Sequence, residues 1–228
     1  NNTSSDSSPT GSQRPGVWGR ANAARADGEL EALHRMTTFS NKGNEVAFGT
    51  IGNASCAEGM FWESVNAIGV LQVPAVISIW DDGYGISVPN DYQLTRALSE
   101  MLSGFQRKAG GSNGYDLSRV AAWDYPALLE TYQKAVETAR KDHVPAIIHV
   151  IEVTQPQGHS TSGSHERYKS EERLQWEEDF DCVTRMRAWM LKEGLATEEE
   201  LTKLEADGRT LVESIRKEAW ETYKQPIL

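Results

Sequence analysis

The chain has 228 residues, of which 39% are hydrophobic, 25% charged and 8% aromatic, which suits a globular protein with a sizeable core and excludes a disordered or fibrous class. No stretch approaches the roughly 20 uninterrupted apolar residues of a membrane-spanning helix and no charged-then-apolar leader is written at the start, so a soluble protein is expected. A net charge of −10, from 33 acidic and 23 basic residues, works against nonspecific attraction to polyanions, so neither nucleic acid nor a membrane surface is the expected partner.

The chain opens at Asn1 in the polar run Asn1-Asn2-Thr3-Ser4-Ser5-Asp6-Ser7-Ser8, a start that suggests a piece of a longer polypeptide. A first strand is expected over residues 44–51, where Val46, Phe48 and Ile51 lead to Gly52. Residues 58–71 follow as a helix, with Phe61, Val65, Ile68 and Leu71 at helical spacing. A second strand reads PAVISIW over 74–80. Helical segments are expected over 91–108 and 126–141, the latter with Leu128, Leu129, Tyr132, Val136 and Ala139 on one face. A third strand reads PAIIHVIEV over 145–153. Such near-continuous apolar runs belong to strands covered on both faces. The alternation predicts a doubly wound, mostly parallel α/β domain over residues 1–170. Beyond Ser170 the pattern becomes charged amphipathic helices over 171–193 and 197–223, with Gly194 as a C-cap and Thr197 with Glu200 as a capping box. Residues 171–228 therefore read as a helical C-terminal tail. Cys56 and Cys182 form no CxxC pair, so no disulfide framework or cysteine zinc site is signalled and a reducing cytoplasm is the expected location.

Ligands in such folds sit beyond the carboxyl ends of the strands, so the three strand ends carry the functional reading. The first continues as Gly52-Asn53-Ala54-Ser55-Cys56-Ala57-Glu58-Gly59. Small residues there let the backbone approach a ligand, and the following helix offers N–H groups to a phosphate; a plain tight βα turn reads equally well. The second ends in Trp80-Asp81-Asp82-Gly83-Tyr84-Gly85-Ile86-Ser87. Adjacent carboxylates after a buried strand make sense if a cation is bound, the alternative being a solvated turn with Gly83 at positive φ. Asn53 and Asp82 together would offer amide and carboxylate oxygens to a hard cation such as magnesium. The third runs into Gln155-Pro156-Gln157-Gly158-His159-Ser160-Thr161-Ser162, where His159 suits proton transfer or phosphate contact, against a merely solvated loop. His34, His143 and His149 lie in helix or strand pattern and read as structural.

Gly52-Asn53-Ala54, the 26 residues 55–80, and then Asp81-Asp82-Gly83-Tyr84-Gly85-Ile86-Ser87 resemble the thiamine-diphosphate fingerprint, usually written GDG, a spacer of comparable length, then NN. With the flanking Ala57-Glu58-Gly59, they resemble the α subunit of the 2-oxo acid dehydrogenase decarboxylase component, especially its branched-chain (2-oxoisovalerate) type. Ser7-Ser8-Pro9 with Ser12-Gln13 resembles the branched-chain segment that holds a structural potassium ion. Gly158-His159-Ser160-Thr161-Ser162 resembles the loop whose histidine contacts the cofactor and joins the chemistry. The likeness runs over nearly the whole chain.

The resemblance implies thiamine diphosphate and magnesium as cofactors, with potassium at Ser7, Pro9, Ser12 and Gln13. It implies metal ligation by Asn53, Asp82 and the Tyr84 carbonyl, cofactor contacts from Ala54, Ser55, Tyr84, Ile86 and His159, and catalysis by His159. The implied activity is oxidoreductive decarboxylation of a 2-oxo acid with acyl transfer to a lipoyl carrier. Implied partners are a β part, separate or fused, in an oligomer, and a lipoyl-bearing acyltransferase. The family's α part begins upstream of Asn1 and no second cofactor-type half follows Leu228, which strengthens the expectation of a fragment. The family's acidic GDG ligand is Asn53 here and the amide of its NN pair is Asp82, so one carboxylate and one amide have exchanged places and the charge offered to magnesium is unchanged. Arginines that branched-chain members carry near phosphate are replaced by Trp80 and Gln155. A pyruvate or acetoin dehydrogenase α part, and a non-catalytic module of the same fold, are the alternatives. A dinucleotide-binding domain lacks its GxGxxG turn here.

Overall fold

The computed structural model describes residues 10–38, 40–159 and 165–226. Two compact units divide the chain, 1–182 and 183–228.

In the first unit, β1 (Ala47–Gly52), β2 (Ala75–Trp80), β5 (Asp116–Ala121) and β6 (Ala146–Ile151) form a four-stranded sheet in the order β1-β2-β6-β5. Every pairing is parallel. The two central strands are the most apolar runs of the sequence, and five of six residues in each are buried. Alternate side chains leave a strand on opposite faces, which here builds two cores. On one face Ile77, Ile79 and Ile147 meet Val17 and Ala21 of α1 (Arg14–Glu29), Phe61, Val65 and Ile68 of α2 (Gly59–Leu71), and Leu98 and Leu102 of α3 (Leu98–Leu102). On the other, Val76, Ile148 and Val150 meet Ala135 and Ala139 of α4 (Tyr125–Asp142). Helices on both faces of a parallel sheet make the expected doubly wound α/β arrangement. A short antiparallel hairpin, β3 (Tyr84–Gly85) with β4 (Val88–Pro89), extends from the end of β2.

Several local expectations change. The segment 91–108 is helical only as α3, flanked by 3-10 turns at Asn90–Tyr92 and Ser103–Phe105, and Gly104 weakens any continuation. The segment 171–193 is broken into α5 (Glu171–Asp179) and α6 (Cys182–Lys192). At the break Phe180 leaves helical backbone and stacks on Trp176, with centroids 5.3 Å apart. α5 falls in the first compact unit. In the second unit, Gly194 sits at φ +66 after α6, and α7 (Glu198–Lys224) opens with the full Thr197–Glu200 capping box.

Candidate functional site

The sheet brings the ends of β1, β2 and β6 side by side, with Gly52 opposite Trp80 and Trp80 opposite Val150. Backbone bonds carry the contact past the sheet: Asn53 N–H donates to the Trp80 carbonyl (3.1 Å), Asp81 N–H to that of Val150 (2.9 Å), and Val153 N–H to that of Asp81 (3.0 Å). The loops after β1 and β2 then close on each other. A Cβ added at Gly85 would lie 2.8 Å from Cβ of Ala54 and 2.7 Å from the Gln93 side chain, so only glycine permits this approach.

Asn53 is buried, and its Nδ2 donates both to the Tyr84 carbonyl (2.9 Å) and to Asn90 Oδ1 (2.7 Å). Asn90 Nδ2 donates in turn to Asp81 Oδ1 (2.9 Å), which also accepts from Gly83 N–H. Asp81 Oδ2 lies 2.9 Å from His149 Nε2 on β6. A continuous polar chain thus runs from His149 through Asp81, Asn90 and Asn53 to the Tyr84 carbonyl. His149, read from the sequence as structural, is a buried member of this chain. In the tautomer with Nε2–H donating to Asp81, its Nδ1 is buried with no partner.

The two adjacent carboxylates have different roles. Burial would raise the Asp81 carboxyl, but hydrogen bonds from His149, Asn90 and Gly83 N–H outweigh it and hold the group below the usual carboxylate range. Asp82 is pushed up, chiefly by burial and further by the Asp81 charge, against the pull of Tyr84 N–H and the Lys169 ammonium. Asp82 is therefore the carboxylate short of positive charge. Gly83 sits at φ +86, as a tight turn after Asp82 requires, and Ile86 at φ +59 with its side chain exposed.

A second layer comes from α5, which the sequence motifs did not signal. Arg173 Nη2 donates to the Asp82 carbonyl (2.8 Å) and its Nε to Glu177 (2.8 Å). Lys169 Nζ, buried like Glu177, lies 2.7 and 2.8 Å from the two Glu177 oxygens and 5.3 Å from the centroid of the Tyr84 ring. The Asp82–Tyr84 turn is thus gripped from outside the fingerprint. His149 could have been suspected as the one titratable residue in an apolar strand, since buried polar groups need partners; Arg173 carried no such signal.

The remaining expected residues fall as follows. Ser55 lies in the 3-10 turn Ala54–Ala57 and, with Gly52 and Trp80, lines a cavity of about 380 Å³ at the ends of β1 and β2. Trp80 is half-exposed there, its Nε1–H donating to Ser78 Oγ, and brings no charge to the cavity. His159 is exposed in the loop after β6, and among the described residues nothing joins it to the Asn53–Tyr84 chain. Ser12 and Gln13 precede α1, whereas Ser7, Pro9 and Ser160 to Ser162 lie outside the described residues.

As a magnesium set, Asn53 Oδ1, Asp82 and the Tyr84 carbonyl are all hard oxygen donors, and the undercompensated Asp82 carboxylate fits a cation. Among the described residues no group of three or more His, Cys, Asp or Glu could hold a metal, so an ion here would depend on amide and carbonyl oxygens. Offering Oδ1 requires Asn53 to turn its amide over and give up two donated hydrogen bonds, at about 0.5–1.5 kcal/mol each.

A parallel, doubly wound domain with converging strand-end loops is the general class of such ligand-binding proteins. The family model described as "Dehydrogenase E1 component" matches residues 1–227. The chain belongs to this family and is an α-type domain, homologous at low identity to both pyruvate and 2-oxoisovalerate dehydrogenase α subunits. It is 28% identical over 191 residues to 2-oxoisovalerate dehydrogenase subunit alpha 1, mitochondrial, of Arabidopsis thaliana, covering 82% of this chain and 38% of that protein. It is 30% identical over 176 residues to the pyruvate dehydrogenase E1 component subunit alpha of Acholeplasma laidlawii, covering 75% and 48%. With 2-oxoisovalerate dehydrogenase subunit alpha of Bacillus subtilis the identity is 28% over 194 residues, covering 85% and 52%. The chain spans about half or less of the length of these curated relatives.

Proposed function

We propose that this chain is the α-type portion of a thiamine-diphosphate-dependent enzyme that decarboxylates a 2-oxo acid, of the branched-chain type, and passes the acyl group to a lipoyl carrier. The observation that supports the reading is that the loops after adjacent parallel strands bring Asn53 onto the Tyr84 carbonyl, with the Asp82 carboxylate accepting from Tyr84 N–H, in a chain of the E1 family. Family members depend on thiamine diphosphate and work with a β subunit and a lipoyl acyltransferase. The branched-chain assignment rests on the Ser7-Ser8-Pro9, Ser12-Gln13 likeness and on the 2-oxoisovalerate relatives.

The bound cofactor supplies the nucleophilic carbon at which a 2-oxo acid loses carbon dioxide. The chain's own part is positioning. Asn53, Asp82 and the Tyr84 carbonyl hold magnesium, and the Ala54 and Ser55 N–H groups face the diphosphate. Arg173 and the Lys169–Glu177 pair keep the Asp82–Tyr84 turn in place. His159, in its exposed loop, is the group that moves a proton near the reacting end, and Ile86 contributes an apolar contact to the cofactor.

Calorimetric titration of thiamine diphosphate with magnesium into the full-length protein, with turnover on 2-oxoisovalerate and pyruvate, tests this. Micromolar binding and faster turnover of the branched acid are expected. Preference for pyruvate would move the substrate assignment to the pyruvate type. Absence of binding would overturn the enzyme reading in favour of a non-catalytic module, for which the hydrogen bond that already joins Asn53 to the Tyr84 carbonyl is the supporting observation.

A further inference from the structure

Arg14 opens α1, just before Pro15, its N–H donating to the Gly11 carbonyl at 3.1 Å. Its side chain runs beside β1 so closely that a Cβ added at Gly49 would lie 3.1 Å from Nη1. Both Nε and Nη1 are buried without a hydrogen-bond partner. Arg14 as a whole is half-buried, so the cost falls on these two buried donors, which lack the acceptor that buried N–H groups need. The buried Lys169, near Tyr84, is paired with Glu177; among the described residues the half-buried Arg14 has no such carboxylate. The neighbouring Cys56 does not neutralise it, because burial pushes that thiol well up and keeps it protonated. Burial in turn lowers the Arg14 guanidinium, as expected where no anion faces it.

Arg14 is also the one charged side chain among the described residues lining the cavity of about 380 Å³ beside Gly52, Ser55 and Trp80, a size within the usual range for small-molecule sites. This is where the proposed diphosphate would lie. A ligand carrying several negative charges meets a net charge of −10 overall and an uncharged Trp80 and Gln155. We infer that Arg14 is the phosphate-binding cation of this site: its guanidinium, entering from α1 alongside β1, takes a phosphate oxygen of the diphosphate and supplies the charge that residues 80 and 155 do not. The inference deepens the proposed function and rests on it for the identity of the diphosphate, while the oxyanion subsite stands on Arg14 and the cavity alone.

The test uses the full-length protein, wild type and Arg14→Met and Arg14→Lys, titrated with magnesium and thiamine diphosphate, unphosphorylated thiamine, or inorganic pyrophosphate. Arg14→Met should weaken thiamine diphosphate and pyrophosphate by roughly tenfold to a hundredfold, the range for a charge-assisted hydrogen bond. It should leave thiamine unchanged, and Arg14→Lys should recover part of the loss. Removing a guanidinium whose buried donors lack acceptors should not lower the melting temperature of the ligand-free protein, whereas pyrophosphate should raise that temperature in the wild type and not in Arg14→Met. Thiamine diphosphate bound equally by wild type and Arg14→Met would overturn the inference and leave the proposed function standing. Arg14-dependent pyrophosphate binding without any binding of thiamine diphosphate would do the reverse. Equal weakening of thiamine and thiamine diphosphate would make Arg14 a structural residue and also overturn it.

Discussion

Replacing Glu177 by leucine isolates the buried ion cluster behind the Asp82–Tyr84 turn. The Glu177 and Lys169 side chains are 1% and 2% exposed, and Lys169 Nζ reaches both carboxylate oxygens at 2.7 and 2.8 Å. With no solvent to take over, Glu177→Leu leaves the ammonium buried and unpaired, and the cost belongs to buried pairs, about 3–5 kcal/mol, not to the 0–1 kcal/mol of surface pairs. Arg173, the third member, is 28% exposed and can rehydrate, so it adds little. At about 2–3 kcal/mol per M urea, the unfolding midpoint of the unit containing the sheet should fall by about 1–2.5 M. The double variant Lys169→Met/Glu177→Leu removes both charges and should regain most of the loss, because a buried pair replaced by apolar groups of similar volume is often neutral. Urea unfolding followed by tryptophan fluorescence reads both. A single variant within about 1 kcal/mol of wild type, or a double no more stable than the single, would refute the claim that burial makes this pair costly to break.

Three further outcomes are expected. Asp82→Ala should abolish magnesium-dependent binding of thiamine diphosphate to the full-length protein, since it removes the only carboxylate of the candidate ligand set; calorimetry showing unchanged affinity would dismiss that set. His159→Ala should lower turnover of the assembled enzyme by about a hundredfold or more, the usual range for a general acid or base, without moving the melting temperature, because the residue is exposed; undiminished turnover would return its loop to a solvated connection. Alkylation of the native protein at pH 8, read by mass spectrometry, should modify the half-exposed Cys182 first and spare Cys56. Cys56 is fully buried, its thiol pushed up by burial and donating to the Gly52 carbonyl. Rapid labelling of Cys56 would show that the β1 turn opens readily.

The central strands β2 and β6, the helices α2 and α4, and the α7 capping box were legible in the sequence, because each is encoded by apolar periodicity or cap chemistry within a few neighbouring residues. The edge strand β5, DLSRVA, escaped because only Val120 of it is buried, so no continuous apolar run marks it. α1 escaped for a related reason: its buried face consists of Val17 and two alanines, too small a stripe to stand out. Asn53, Asp82 and Tyr84 were singled out through the spacing of the two strand-end motifs, and the structure joins Asn53 to the Tyr84 carbonyl. Which of the two adjacent aspartates turns inward was not readable, since Asp81 is held by His149, 68 positions away, while the Asp82 carbonyl is held by Arg173, 91 positions away. The unpaired Arg14 was equally invisible, because burial without a partner is a property of the packed chain. Local patterning thus determined the central strands, the strongly amphipathic helices and the candidate strand-end loops; tertiary structure alone decided how each charge in those loops is compensated, because electrostatic compensation depends on groups that only folding brings within hydrogen-bond reach.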